Sequence, residues 1–168
     1  MINSELRGLP SFQDLSLALH RLLAGKRISV AVAESLTAGL MQDIFARASG
    51  SSWYFLGGLT VYSAQQKINL LHVEASLCER YNCVHLQVAE EMARGVSQLF
   101  GSTIGVTTTG YAEPNPLWGV KEPMAYYGIY REGEAFIGGR IEATGLDRNG
   151  AREYIARYVL NELVEILA

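Results

Sequence analysis

Six consecutive residues, Ile28 to Ala33, form a short and almost uninterrupted apolar run that is rich in β-branched side chains. A strand of this kind has no polar side to turn towards water, so both of its faces must be covered. Segments with helical periodicity surround it. One is predicted to begin near Ser11 and end at Gly25, with leucines at positions 15, 19, 22 and 23 on one face, and the next covers 37–48. The run therefore predicts a sheet with helices packed against it.

The rest of the sequence continues to alternate between strand and helix patterns. It predicts strands over 53–62, 103–109, 124–131 and 135–143, and helices over 64–71, 86–100 and from about Asp147 to the end. Gly57-Gly58 indicates a bulge in the first of these strands, and residues 132–134 indicate a hairpin turn between the last two. We therefore predict one layered α/β domain over residues 1–168, with a mixed central sheet covered by helices.

Two helices carry predicted inward-facing stripes. The expected inner residues of 86–100 are Val88, Ala89, Met92, Val96 and Leu99, and those of the last helix are Ile155, Val159, Leu163 and Ile166.

Composition excludes several classes of protein. The formal net charge is −3 and no run of Lys and Arg occurs, which argues against a nucleic-acid partner. The longest apolar stretches are too short to span a membrane. The first residues include Glu5 and Arg7 and lack an apolar core segment, so we predict no signal peptide and a cytoplasmic location. Cys78 and Cys83 lack the spacing of metal ligands, and we expect two reduced, partly buried thiols.

Three polar segments follow predicted strands, where sites form in layered α/β proteins. The first contains Glu34, Ser35, Thr37 and Gly39, in a position where helix N–H groups stabilise negative charge. Capping of the helix by Ser35 or Thr37 is the alternative interpretation.

The second segment is Tyr62-Ser63 with Lys67, where a desolvated lysine could act as a base. An exposed helical lysine is the alternative. The third is 107–114, whose backbone could cradle phosphate. Arg148 at the start of the last helix could bind phosphate or carboxylate, or could simply form a solvated ion pair.

Five ordered segments together resemble the CinA C-terminal domain family from about Leu15 to Leu167. They are Glu34-Ser-Leu-Thr-Ala-Gly39, Gly50-Ser-Ser52, Tyr62-Ser63 with Lys67, Thr109-Gly-Tyr-Ala-Glu-Pro114 and Leu146-Asp-Arg148. The family's known activity is hydrolysis of the carboxamide of nicotinamide mononucleotide. The resemblance thus implies an amidohydrolase that takes a small pyridine nucleotide and needs no cofactor and no metal.

The resemblance also implies roles for individual residues. Ser35 would be the nucleophile, and Lys67, aided by Tyr62, would take its proton. Thr109, Gly110 and Arg148 would hold the substrate's phosphate or orient its ring, and Glu34, Thr37 and Gly39 would complete the substrate-binding set.

The sequence departs from the family's motifs at several positions. Leu36 replaces a cysteine, Ala38, Glu113 and Ala125 replace glycines, and His85 stands at a serine position. A carboxylate at Glu113 would repel phosphate unless a positive charge offsets it. The alternative function is therefore a catalytically inactive paralogue that binds a nucleotide or acts as a regulatory module.

The aromatic cluster Trp53, Tyr54 and Phe55 and the habit of family members to self-associate predict a homo-oligomer. Packing of these side chains in the core is the alternative explanation for the cluster.

Overall fold

The structure, a computed structural model, describes residues 8–168. The prediction about a signal peptide, with Glu5 and Arg7, concerns residues outside this range.

Within the described residues the chain forms six α-helices and five strands. In order they are α1 (Phe12–Leu23), β1 (Val30–Glu34), α2 (Leu40–Ala46), β2 (Phe55–Thr60), α3 (Ala64–Leu71), α4 (Ala75–Tyr81), α5 (Leu86–Phe100), β3 (Ile104–Tyr111), β4 (Met124–Arg131), β5 (Ile137–Glu142) and α6 (Arg148–Leu167). Short 3₁₀ helices cover Ser51–Trp53 and Pro116–Trp118.

The five strands form one mixed sheet in the order β2-β1-β3-β4-β5. β1 is parallel to both β2 and β3, whereas β3–β4 and β4–β5 are antiparallel. The predicted mixed sheet with an antiparallel hairpin is confirmed. Because β1 has one parallel neighbour on each side, the carboxyl ends of β2, β1 and β3 share one edge, where ligands bind in such sheets.

Helices cover both faces of the sheet, as the apolar run in β1 requires. Alternate residues of β1 enter two different cores: Val30 and Val32 pack with α1, α2 and α6, while Ala31 and Ala33 pack with α3, α4 and α5. All five residues of β1 are buried. The layered α/β architecture is therefore confirmed.

Local features of two elements agree with the predictions. Ser11 and Asp14 form a capping box at the start of α1, and a register shift opposite β1 marks a bulge in β2. Gly58 permits a close approach there, because a Cβ would lie 2.7 Å from the carbonyl oxygen of Val32 and 2.9 Å from the side chain of Gln42. The predicted bounds of α3, α5 and β4 are also confirmed.

Two inward-facing assignments are wrong. Leu99 is 53% exposed and Ile166 is 37% exposed. In each helix the next residue packs against a core instead, namely Phe100 and Leu167. Both replacements continue a spacing of four residues, after Val96 and after Leu163.

Two differences concern helix positions. The predicted helix over 37–48 begins only at Leu40, because Ala38 and Gly39 have φ values of 45° and 99°, which a right-handed helix excludes. The sequence pattern also missed α4, whose seven residues are too few to show a helical period.

The expectation of two reduced thiols is wrong, because the structure joins Cys78 and Cys83 in a disulfide. Asn82 and Cys83 both adopt left-handed backbone conformations at the end of α4. This turn brings Cys83 back onto the last part of the helix, so that the two Cα atoms lie 4.1 Å apart.

The left-handed conformation of Ala38 predicts a stabilising substitution. Its methyl group raises the energy of this backbone conformation by about 1 kcal/mol or more, a cost that glycine avoids. We expect Ala38→Gly to raise the free energy of unfolding by about 0.5–1 kcal/mol in urea denaturation. Ala24→Gly, at a residue with φ −60°, should instead lower it slightly. A loss of stability in Ala38→Gly equal to that in Ala24→Gly would contradict this account.

Candidate active site

A serine and a lysine meet at the carboxyl edge of the parallel strands. Ser35 directly follows β1, and Lys67 lies in the first turn of α3, whose N-cap is Ser63. The Lys67 Nζ donates hydrogen bonds to the Ser35 Oγ at 3.1 Å and to the carbonyl oxygen of Val61 at 2.8 Å. The folding of β1 and of the β2–α3 connection thus brings together two residues that are 32 positions apart.

Lys67 is unusually buried for a lysine, with 3% of its surface exposed. Burial disfavours the charged ammonium and lowers the pKa of Lys67 from 10.5 to about 8. Both of its hydrogen-bond partners are uncharged, so no carboxylate bonded to the amine restores the charged form. With this pKa, roughly a tenth of the Lys67 amine is neutral at pH 7 and half of it is neutral at pH 8, and the neutral form can accept a proton.

A cavity of about 290 Å³ opens over this pair. Of the nine predicted site residues, six line it: Ser35, Tyr62, Lys67, Thr109, Gly110 and Arg148. Three predicted residues do not line it: Glu34, Thr37 and Gly39. The fold therefore gathers the three catalytic candidates and half of the predicted substrate-binding set around one space.

The three residues outside the cavity shape the turn that carries Ser35. Glu34 is fully buried, and its carboxylate accepts hydrogen bonds from the backbone N–H groups of Met41 and Gln42. It thereby caps α2, a role that the sequence analysis had considered for Ser35 or Thr37. The Thr37 hydroxyl instead lies 2.8 Å from that of Thr108, and Gly39 precedes α2 in a left-handed conformation. The predicted contacts of Glu34, Thr37 and Gly39 with a substrate gain no support from these positions.

Arg152 also holds this turn, and the sequence analysis missed it. Its Nε donates to the carbonyl oxygen of Leu36 at 2.8 Å, and a terminal nitrogen donates to that of Thr37 at 3.2 Å. The first pair is 116 positions apart, so no local pattern could have signalled the contact. The only sequence feature that indicated a place near the site was its position one helical turn after Arg148 on α6.

A chain of polar contacts lies at the mouth of the cavity. Arg148 donates to the Glu113 carboxylate and to the Tyr62 hydroxyl, each at 2.9 Å. Glu113 therefore offsets the charge of the arginine that the sequence analysis assigned to phosphate. The hydroxyl of Tyr62 contacts Arg148 rather than Lys67, so its predicted help to Lys67 is not a direct hydrogen bond in this structure.

The end of β3 also lines the cavity. The Thr109 hydroxyl donates to the carbonyl oxygen of Cys83 at 2.7 Å, which ties the strand to the turn after α4. At Gly110 a Cβ would lie 2.5 Å from the Cα of Ala125, so the absence of a side chain here permits the approach of β4. Both residues still line the cavity, where their backbone is available to a ligand.

Two further findings concern metal-binding clusters and membrane-spanning helices. Among residues 8–168 no group of three or more His, Cys, Asp or Glu side chains is placed to hold a metal ion. In the same part of the chain, none of the helices has both the length and the apolar character needed to cross a bilayer.

The lowered pKa of Lys67 predicts how stability depends on pH. Between about pH 8 and 10.5 the unfolded chain binds the lysine proton more tightly than the folded protein does. The contribution of Lys67 to the free energy of unfolding therefore rises with pH across this window, by about 3 kcal/mol at most. We expect the stability of Lys67→Met relative to the wild type to fall by about 2–3 kcal/mol between pH 7 and 10.5, measured by urea denaturation. Lys26→Met, which removes an exposed lysine, should show no such trend; parallel curves for wild type and Lys67→Met would contradict the low pKa.

Comparisons with known proteins identify the family of the chain. The sequence model of the CinA C-terminal domain matches residues 12–167. A Clostridium acetobutylicum protein described as competence-damage inducible is 33% identical over 161 residues, or 94% of this chain. A Bacillus subtilis protein with the same description is 34% identical over 149 residues, or 84% of this chain. The chain spans about a third of the length of these curated relatives, 36% and 35% respectively.

Solved structures agree on the fold. A competence or damage-inducible protein from Enterobacter asburiae superposes with a TM-score of 0.88 at 23% identity, covering 95% of this chain and 99% of that one. A competence-damaged protein (CinA) superfamily member from Escherichia coli gives 0.86 at 23% identity, covering 93% and 90%. At these identities the likeness establishes the fold alone, and the sequence match establishes the family. The chain belongs to the CinA C-terminal domain family.

Proposed function

We propose that this protein is an amidohydrolase that hydrolyses the carboxamide of nicotinamide mononucleotide, or a related small amide, through a Ser35–Lys67 pair. The observation that carries the proposal is the 3.1 Å contact between the Lys67 Nζ and the Ser35 Oγ at the floor of a cavity. A serine hydroxyl becomes an effective nucleophile when a neighbouring base takes its proton. The low pKa of Lys67 suits it to that task near neutral pH.

In the first half of the reaction the Ser35 Oγ attacks the amide carbon while its proton passes to the neutral amine of Lys67. The resulting tetrahedral adduct collapses when its C–N bond breaks, and Lys67 returns the proton to the departing nitrogen, which leaves as ammonia. The product is an ester of Ser35 with the pyridine carboxylate. The same base then activates water to release nicotinate mononucleotide and restore the serine.

The turn after Ser35 supplies a donor for the oxyanion. The N–H of Ala38 donates to the carbonyl of Ser35, and that of Leu40 to the carbonyl of Thr37. Within the described part of the chain, the N–H groups of Leu36 and Thr37 donate to no protein acceptor. We assign the amide of Leu36, a residue that lines the cavity, to the developing oxyanion, a contribution of about 3 kcal/mol for such a donor.

Arg152 and Glu34 would keep this amide in position. Arg152 binds the carbonyl oxygens of Leu36 and Thr37, and Glu34 anchors the start of α2 just beyond them. Catalytic donors are effective when the protein fixes them before the reaction begins. These two residues are therefore positioning residues in the proposal.

The partner of this site is proposed to be a pyridine nucleotide, with Thr109, Gly110 and Arg148 beside its ring or its phosphate. All three line the cavity over Ser35. The proposal requires no bound metal or organic cofactor, because the serine and the lysine carry every covalent and proton-transfer step.

One observation favours the second candidate function, a nucleotide-binding or regulatory module without turnover. The carboxylate of Glu113 occupies Arg148 at 2.9 Å, at a position where the family's motif has glycine. A ligand anion must therefore either displace the Glu113 carboxylate from Arg148 or bind next to it against charge repulsion. Tight binding of nicotinamide mononucleotide in calorimetry, with no release of ammonia, would establish this alternative over hydrolysis.

The direct test is release of ammonia from nicotinamide mononucleotide by the purified protein. We expect Ser35→Ala to reduce kcat/KM by at least about 1,000-fold, because the nucleophile is lost. Lys67→Met should have a comparable effect, whereas Lys26→Met should be as active as the wild type. In the wild type, kcat/KM should rise with pH with a midpoint near 8 and level off about one pH unit higher, as Lys67 loses its proton.

The outcome that would contradict hydrolysis is equally specific. If the wild type and Ser35→Ala release ammonia at the same background rate from every pyridine amide offered, the protein is not this enzyme.

A further inference from the structure

A second and larger cavity, of about 560 Å³, lies beside the candidate active site. The two cavities share Val84 and Tyr111 in their walls. The second one is bounded by the end of α4, the loop before β4, and β4 and β5. Its volume falls in the range of small-molecule sites, yet nothing in the proposed hydrolysis uses it.

The walls of this cavity are rich in aromatic rings. Four of them line it: Tyr81, Tyr111, Trp118 and Tyr126. Several are held in place, since Tyr81 stacks on His85 with ring centroids 4.0 Å apart and the Tyr111 hydroxyl accepts a hydrogen bond from Asn82. Trp118 is 46% exposed, so part of a large indole remains available to a ligand. Fixed aromatic faces of this kind are the usual platform for nucleic-acid bases.

Positive charge accompanies these rings. Arg80, Lys121 and Arg140 line the cavity, and Arg140 pairs with Glu142 at 2.8 Å. Lys121 and Arg80 form no ion pair with the described residues, although Arg80 lies over the ring of Tyr81. Two cations therefore remain free to bind an anion.

Both acidic residues that line this cavity already have a partner. The carboxylate of Glu142 pairs with Arg140, and that of Glu122 accepts a hydrogen bond from the backbone N–H of Gly145 at 3.0 Å. In the first cavity the Glu113 carboxylate pairs with Arg148. An anionic group is thus better accommodated beside Lys121 and Arg80 than beside Arg148.

We propose that the second cavity binds a nucleotide, with its aromatic base against Trp118 and the neighbouring tyrosines and its phosphate on Lys121 and Arg80. The aromatic lining of the second cavity suits a second ring, in addition to the amide-bearing group that the proposed function places over Ser35. This ring arrives either as the far half of a dinucleotide whose amide end lies at Ser35, or as a separate nucleotide that acts as an effector. The first of these two possibilities, a dinucleotide, rests on the proposed function, whereas the binding site itself does not.

Trp118 provides the test. The chain contains two tryptophans, so Trp53→Phe leaves Trp118 as the single reporter. In a Trp53→Phe/Ser35→Ala protein, we expect adenosine monophosphate to change the Trp118 fluorescence and to bind in calorimetry. Adenosine should bind about tenfold more weakly, because it lacks the phosphate.

Substitutions separate the phosphate contact from simple stacking. Lys121→Ala should weaken adenosine monophosphate about tenfold and leave adenosine unchanged. Lys26→Ala removes an exposed lysine from the loop before β1, at the other end of the strands, and should change neither. The proposal is overturned if adenosine monophosphate leaves Trp118 fluorescence unaltered, binds no more tightly than adenosine, or binds Lys121→Ala as well as the parent protein.

A final comparison identifies the source of the nucleotide. If the two cavities hold one dinucleotide, nicotinamide adenine dinucleotide should bind this Ser35→Ala protein at least about 100-fold more tightly than nicotinamide mononucleotide does. If the second cavity holds an effector, the two mononucleotides should bind together without this gain. Both outcomes support the site. Since Ser35→Ala removes the proposed nucleophile, binding is measured independently of hydrolysis, and a failure of the ammonia assay leaves this test intact.

Discussion

The rest of the candidate site depends on one buried amine. Lys67 is held between the hydroxyl of Ser35 and the carbonyl oxygen of Val61, and its burial lowers the pKa of the amine to about 8. A lysine in this setting destabilises the protein at neutral pH, because its charged form has lost its water without gaining a carboxylate. The fold tolerates that cost at the edge where β1 and β2 end, where the amine lies beside Ser35 and where we propose that its neutral form acts as a base.

The other half of the site is a turn with an uncommon backbone. Ala38 and Gly39 both have positive φ values, and together they delay the start of α2 until Leu40. Glu34 and Arg152 hold the two ends of this turn through hydrogen bonds to its amides and carbonyl oxygens. Strained backbone of this kind persists where surrounding contacts over-determine it, which is common at functional sites. The turn and the buried amine together place the Ser35 hydroxyl within hydrogen-bond distance of the Lys67 amine.

The sequence allowed the layered sheet and every α-helix and strand except α4 to be predicted, because β1 is an almost uninterrupted apolar run and α5 carries a strong helical period. The strand ends indicated the polar segments that contain Ser35 and Lys67, and the resemblance to the family joined the two residues in one site. The role of Glu34 escaped prediction for a physical reason: a left-handed turn moved the helix N-terminus onto its carboxylate. The ion pair between Glu113 and Arg148 and the disulfide at the end of α4 likewise depend on tertiary contacts or backbone turns that periodicity does not report.

The central claim, that Lys67 activates Ser35 as a nucleophile, is tested most directly by covalent labelling. A small fluorophosphonate reacts with activated serines irrespective of the natural substrate, and intact-protein and peptide mass spectrometry locate the adduct. The account predicts one label, on Ser35. The labelling rate should rise with pH with a midpoint near 8, and it should be at least about 100-fold lower in Lys67→Met. Absence of labelling at Ser35, or labelling at the same rate in Lys67→Met, would contradict it.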